Sequence, residues 1–255
     1  MVAISYDSQA ILKDFAERHK IDYPLLADPD SKIITSYGAL NAEASGMQKG
    51  MALPGYFYVG ADGIIREKFF EAKYTNRFTA NNVVAKLFPE LIEGVSPKVD
   101  APHLALETTQ SDSTLAPGSR FALAAHVALP KDVHVYAPGV KGYKPIQLEL
   151  QPSTDLELAP PIYPSFKILY LQAIKEEVPI FEGTFNITAD VKISASPDFI
   201  KSLGTSERTV TIDGQLRYQA CDRTTCYLPT SIPVSWRVQV LPLDLQRSPE
   251  SIRHR

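Results

Sequence analysis

Helical periodicity fades near residue 103 of this 255-residue chain and does not return. From there on the apolar residues fall in short β-rich runs: Phe121–Leu129, Val133–Tyr136, Ile146–Leu150, Phe166–Leu171, Thr184–Ile193, Thr209–Tyr218 and Ser235–Leu241. Proline and glycine punctuate them about every dozen residues, the spacing of strand–turn units rather than of helices. Several runs alternate. Val191, Ile193 and Ala195 fall on one side, Lys192 and Ser194 on the other, as a pleated strand with one buried face requires. Seven or more such strands predict an antiparallel β-sandwich of immunoglobulin-like type.

The first hundred residues read differently. Val2–Tyr6 is a short β-rich run of the kind buried on both faces. Asp7 and Ser8 supply N-cap chemistry. Ile11, Leu12, Phe15 and Ala16 follow at helical spacing, predicting an amphipathic helix over Gln9–Lys20. A second short helix is expected over Asp30–Tyr37, stopping at Gly38, with a loop over 41–50. Gly55–Val59 and Ile64–Phe70 flank an Asp62-Gly63 turn and predict a hairpin. Phe78–Phe88 closes the region as a helix. Pro89, Pro97 and Pro102 stand in an aperiodic stretch that reads as a linker. The expected organisation is a two-domain α+β chain: an α/β domain over 1–90, a linker over 91–103, the β-sandwich over 104–245 and a tail over 246–255.

Charge narrows the function. Lysine and arginine total 26 against 29 aspartate and glutamate, a formal charge of −3. A phosphate-neutralising face leaves a basic excess, so a nucleic-acid partner is not expected. No apolar run approaches the roughly 20 residues of a membrane-spanning helix, so no span is expected in this chain. Met1–Ser5 is too short for a signal peptide. Strands rarely open a fold with nothing before them, so the sequence reads as one whose original start lies upstream of Met1.

Only two cysteines are present, Cys221 and Cys226. They stand in Tyr218-Gln219-Ala220-Cys221-Asp222-Arg223-Thr224-Thr225-Cys226-Tyr227-Leu228-Pro229, with a strand before the first and proline after the second. A hairpin or wide turn with one cysteine on each arm brings Cα atoms into disulfide range. Three readings stay open on spacing alone: a structural disulfide, two unrelated free thiols, or a redox-active dithiol. Closing so short a loop constrains the unfolded chain by only about 2 kcal/mol, against nearly 5 for a long loop, which disfavours a purely structural staple. A metal site is not expected. His103, His126 and His134 are distant in sequence, and two thiolates do not complete a tetrahedron. No cofactor is implied. Asp222 and Arg223 read as turn residues, although a cation such as Arg223 beside a thiol lowers its pKa.

The stretch from about Leu216 to Leu241, with YQACDRTTCYLP followed by SIPVSWRVQV, resembles the N-terminal domain of thiol:disulfide interchange protein DsbD. The likeness extends back to about residue 104, through Val133-His134-Val135-Tyr136-Ala137-Pro138-Gly139, Tyr143-Lys144-Pro145 and Val178-Pro179-Ile180-Phe181-Glu182-Gly183. That family has an immunoglobulin-like fold and a reversible cysteine pair. The resemblance implies that Cys226 attacks or is attacked in a mixed disulfide and that Cys221 resolves it. It implies that Phe181 caps the sulfurs, and that Glu182, Tyr136, Tyr143 and Tyr227 line the site. A packing or surface role is the alternative for each of these five. It also implies a thioredoxin-like protein or domain as redox partner and a bacterial periplasmic location.

The first hundred residues resemble the peroxiredoxin (AhpC/TSA) branch of the thioredoxin fold, through VAISYDS, KDFAERH, YPLLADPDSKIITSYG and LPGYFYVGADGIIREKF. The likeness covers only the later part of that fold, implying an incomplete thioredoxin-like domain without its first strand and cysteine-bearing helix. Pro54 falls where such folds keep a cis-proline. No cysteine precedes Cys221, so peroxidase activity is not expected of this chain alone. The leading expectation is a thiol-disulfide oxidoreductase. The alternatives are a non-enzymatic sandwich with a structural disulfide, or a fragment of a peroxiredoxin-type antioxidant enzyme whose peroxidatic cysteine lies upstream of Met1.

Overall fold

In a computed structural model of the protein, residues 1–88, 98–172 and 175–253 are described. The chain divides into two compact units, Met1–Arg77 with the segment from Asp244, and Phe78–Leu243.

The first unit contains β1 (Ala3–Ser5), α1 (Gln9–His19), β2 (Leu25–Ala27), α2 (Lys32–Ser36), β3 (Gly55–Val59) and β4 (Ile65–Phe70); β5 (Arg77–Phe78) follows. The Ser8 hydroxyl accepts from the Ile11 N–H at the start of α1, and Lys20 ends the helix in a left-handed conformation. Arg18 and His19, in the last turn where cations suit the helix dipole, lie 3.6 and 3.0 Å from the Asp244 carboxylate. The β3–β4 hairpin turns through Gly63 at φ +79°, a conformation that glycine adopts without penalty. Its N–H donates to the Gly60 carbonyl at 2.9 Å.

Two expectations fail in this unit. β1 is not buried on both faces: it pairs, in parallel, with β2 alone in a two-stranded sheet, and Val2 and Ile4 are 54% and 39% exposed. A strand is sealed on both faces only where other elements cover them. Pro54, expected as a cis-proline, follows a trans peptide bond, as do all described residues. Trans is the lower-energy X–Pro isomer by about 0.5–1 kcal/mol. In this form the Pro54 carbonyl accepts from the Glu71 N–H at the hairpin base (3.0 Å).

The second unit opens with α3 (Ala80–Leu87), the helix expected to close the first domain. Its polar residues explain the difference. Thr79 caps α3 by accepting from the Asn82 N–H and donates its own hydroxyl to Asp112 at 2.7 Å. Asn82 donates to Asp190, with which Lys86 forms an ion pair. These carboxylates belong to the sandwich, so the helix is tied there. Of the expected linker, 89–97 lie outside the described residues, and its end forms a strand.

The strands are β6 (Val99–Ala101), β7 (Leu104–Gln110), β8 (Thr114–Leu115), β9 (Ser119–Ala128), β10 (His134–Tyr136), β11 (Gln147–Leu150), β12 (Leu156–Leu158), β13 (Lys167–Leu171), β14 (Glu176–Glu182) and β15 (Thr184–Ile193). After α4 (Pro197–Leu203) come β16 (Arg208–Tyr218), β17 (Ala220–Cys221) and β18 (Thr230–Val240). They form three sheets, in the orders β12-β15-β9-β7-β6, β11-β16-β18-β8 and β13-β14-β10-β17. Pairing is antiparallel except for the two-residue β18–β8 contact.

The core follows from the two-residue period. On β9, Phe121, Leu123, Ala125 and Val127 are fully buried; on β18, Ile232, Val234, Trp236, Val238 and Val240 alternate with exposed residues. The Trp236 indole N–H donates to the Thr109 carbonyl at 2.9 Å, satisfying the polar end of a buried ring. Gly214 on β16 permits the approach of β11: a Cβ there would stand 2.5 Å from the Glu149 carbonyl oxygen.

Candidate functional site

The β13-β14-β10-β17 sheet positions the cysteines. Asp222 N–H donates to the Thr225 carbonyl and Tyr227 N–H to the Ala220 carbonyl, both at 2.9 Å. This tight hairpin sets Cys221 opposite Cys226. The two are joined as a disulfide with a Cα–Cα distance of 4.0 Å, so the reading as unrelated free thiols is excluded. Their exposures differ sharply. Cys221 is 1% exposed, while Cys226 lies on the outer arm and is exposed.

The turn is held by one carboxylate. Asp222 accepts from the backbone N–H groups of Thr224 and Thr225, both at 2.7 Å, from the Thr224 hydroxyl and from the Tyr227 hydroxyl at 2.7 Å. An Asx turn of this kind replaces a backbone turn with side-chain bonds. The Tyr227 bond is the largest of the influences holding the Asp222 carboxyl far below its usual range, with the Thr224 and Thr225 bonds next. The same bond, then burial, raises the Tyr227 phenol. A carboxylate with a depressed folded-state pKa stabilises the fold above its unfolded pKa of about 3.9, and that contribution is lost as pH falls toward the folded value. Asp222→Asn is therefore expected to lower stability near neutral pH, and the gap from wild type should narrow below about pH 4. Denaturation midpoints at pH 7 and pH 3 check this; an equal gap at both would refute it.

Strand register decides what surrounds the sulfurs. On β10, His134 stands opposite Glu182 of β14 and Cys221 of β17, while Val135 stands opposite Phe181 and Ala220. Opposed residues share a face. Phe181 therefore lies on the opposite face from Cys221. It is 4% exposed within the main core and stacks on Phe185 at 4.8 Å. The expectation of Phe181 as cap is corrected: its position in an alternating strand sends the ring into the sandwich.

Tyr136 and Tyr143 instead belong to the cluster that contains Cys221. Tyr136 joins Val178, Ile180 and Cys221 in a second buried cluster, with Val140, Tyr143, Leu169 and Leu171 packed against it. Its hydroxyl lies 3.7 Å from the Cys226 sulfur; a disulfide sulfur carries no proton, so the hydroxyl is the donor. Tyr143 stacks on Tyr136 at 4.3 Å and donates to Glu176 at 3.0 Å. Burial first, then neighbouring groups, raises both phenols, so both stay protonated at neutral pH. Tyr227 stacks on His103 at 3.6 Å, beside the hairpin. Glu182 is exposed and paired with Lys167, whose hydrogen bond and charge hold its carboxyl below the usual range. Arg223 pairs with Asp132 at 2.8 Å. Sequence reasoning missed His134 as a neighbour of the sulfurs, although the two-residue period already placed it on the Tyr136 face.

Among the described residues no helix is long and apolar enough to cross a membrane, and no cluster of three or more His, Cys, Asp or Glu residues suits a metal ion.

Comparison with known proteins follows the same division. The AhpC/TSA family description matches residues 1–68. The description "Thiol:disulfide interchange protein DsbD, N-terminal" matches residues 103–234, just over half of the chain. No curated protein matches the sequence. Similar solved structures include the N-terminal periplasmic domain of ScsB from Proteus mirabilis, at 11% identity and TM-score 0.35, covering 59% of this chain and 53% of that one. The match thus spans about half the length of the ScsB chain. Another is the N-terminal domain of Neisseria meningitidis DsbD in the reduced form, at 11% identity and TM-score 0.31, covering 48% of this chain and 82% of that one. Through the match over its β-sandwich, which carries the paired cysteines, the chain belongs to the family of the N-terminal domain of thiol:disulfide interchange protein DsbD.

Proposed function

We propose that this protein is a thiol-disulfide oxidoreductase whose working group is the Cys221–Cys226 pair, and that it exchanges electrons with a thioredoxin-like protein or domain. The observation that carries this reading is the asymmetry of the pair, one sulfur on the exposed arm of a hairpin and the other sealed beneath it. A partner thiolate attacks the Cys226 sulfur, the Cys221–Cys226 bond breaks, and the electron pair leaves on Cys221. The partner's second thiolate then attacks the mixed disulfide and releases Cys226, so the pair is reduced and the partner oxidised. The same steps in reverse oxidise the pair. The Tyr136 hydroxyl, directed at Cys226, is placed to stabilise negative charge there as it leaves. Tyr143, Tyr227 and Glu182 line the approach. Peroxide reduction is not assigned to this chain, because no cysteine precedes Cys221.

A reversible disulfide suits an oxidising compartment, and the ScsB relative is a periplasmic domain; an extracytoplasmic location is part of the proposal. The reduction potential tests the reading. Equilibration with glutathione buffers should give a value above about −300 mV, the region of exchangeable disulfides. A value well below that favours a structural bond and a non-enzymatic sandwich.

A further inference from the structure

We infer that His134 is the proton acceptor for Cys221, converting its buried thiol to the thiolate that resolves a mixed disulfide at Cys226. The inference rests on the exchange reading above and adds to it the group that moves the proton.

Three observations meet at this residue. First, register sets His134 directly across from Cys221, on the same sheet face, and opposed side chains start from Cβ atoms about 4.5–5.5 Å apart. Second, the imidazole is buried, at 8% exposure, and its Nε2 has no hydrogen-bond partner. Buried polar atoms are normally satisfied, and exceptions include redox and catalytic sites. In the disulfide the Cys221 sulfur has no proton to offer; in the dithiol it does, and a neutral imidazole protonated on Nδ1 presents Nε2 as acceptor. Third, Cys221 is itself 1% exposed, so bulk water is poorly placed to take its proton.

The charged surroundings suit the role. Across β14 stands Glu182, paired with Lys167 of β13; beyond β17 stands Asp222; on β10 itself is Tyr136, at 5.6 Å between ring centres. Burial is the main influence on His134 and lowers its pKa, while Glu182 and Asp222 oppose the shift. The ring is therefore neutral at pH 7, and both carboxylates stabilise the imidazolium that forms. In the resolving step, Nε2 takes the Cys221 proton and the thiolate attacks the Cys226 sulfur. The bond from Cys226 to the partner sulfur breaks, and the partner departs as a thiolate with the electron pair. Cys221 and Cys226 are oxidised to the disulfide, the partner sulfur is reduced, and the proton passes from His134 to solvent.

The test uses reduced protein and the chromogenic disulfide DTNB. The first thionitrobenzoate released reports adduct formation at Cys226, and the second reports resolution by Cys221. In the wild type the second rate should fall from pH 9 only to a plateau and hold it down to about pH 6.5, the ordinary histidine value. In His134→Gln it should fall about tenfold per pH unit below the usual thiol pKa of about 8.5. The two curves should differ at least tenfold at pH 6.5 and converge near pH 9. Parallel curves, including a constant offset, overturn the role of His134. An adduct that never resolves in the wild type overturns the exchange reading as well. If His134→Gln fails to fold, the wild-type profile alone decides: a fall that continues at about tenfold per unit from about 8.5 to 6.5 rejects the inference, and a plateau extending below about 7 supports it.

Discussion

Cys221→Ala protein, activated at Cys226 with DTNB and mixed with reduced thioredoxin lacking its second active-site cysteine, is expected to form a disulfide-linked adduct. Cys226→Ala protein, treated identically, should form at least about tenfold less, because reaction follows thiol access and Cys221 is 1% exposed. The asymmetry is the informative part. A hairpin whose sulfurs were equally accessible would trap through either cysteine. Both variants lose a short-loop disulfide, worth only about 2 kcal/mol in the chain-entropy account, so both should remain folded and comparable. Adduct bands on a non-reducing gel decide. Equal trapping by the two variants, or trapping by Cys226→Ala alone, would reverse the assigned roles.

Trp236→Ala is expected to cost about 3–5 kcal/mol of unfolding free energy, the range for emptying a large buried aromatic site. Trp236 is 3% exposed on the central strand β18. Its removal opens a cavity and also leaves the buried Thr109 carbonyl without its indole donor. Trp236→Phe separates the two contributions. It keeps most of the apolar volume and should cost about 1–3 kcal/mol, the penalty for one unsatisfied buried group. Urea midpoints at an unchanged slope measure both. A Trp236→Ala loss below about 1 kcal/mol would mean that the site repacks, contrary to the usual stiffness of a close-packed interior.

Much of the fold was visible in local pattern. The expected Thr184–Ile193 coincides with β15, β9 and β16 differ from their expected runs by one or two residues at their ends, and the expected Ser235–Leu241 covers only the second half of β18. Each carries apolar residues at every second position, and that alternation records a single buried face. β6, β8, β12 and β17 escape the pattern because two or three residues hold too little periodicity to read, and the seven-residue β7 and β14 escape it because their burial does not alternate strictly. α3 was recognised as a helix but given to the wrong neighbour. Its Thr79, Asn82 and Lys86 look like ordinary polar residues until Asp112 and Asp190 are brought beside them.

The candidate site divides in the same way. The cysteine hairpin could be read from its own few residues, because a turn between two strands is a local property. Its surroundings could not. Phe181 and Glu182 are neighbours in sequence, yet one enters the core and the other stands at the edge of the sulfur site. Shifting the β10–β14 or β10–β17 pairing by one residue would exchange those faces, and nothing local to β14 or β17 sets that alignment. Side-chain chemistry and strand period therefore reside in the chain's short-range order. The choice of Tyr136, Tyr143 and His134 over Phe181 as companions of the disulfide arises only when strands distant in sequence lock into register.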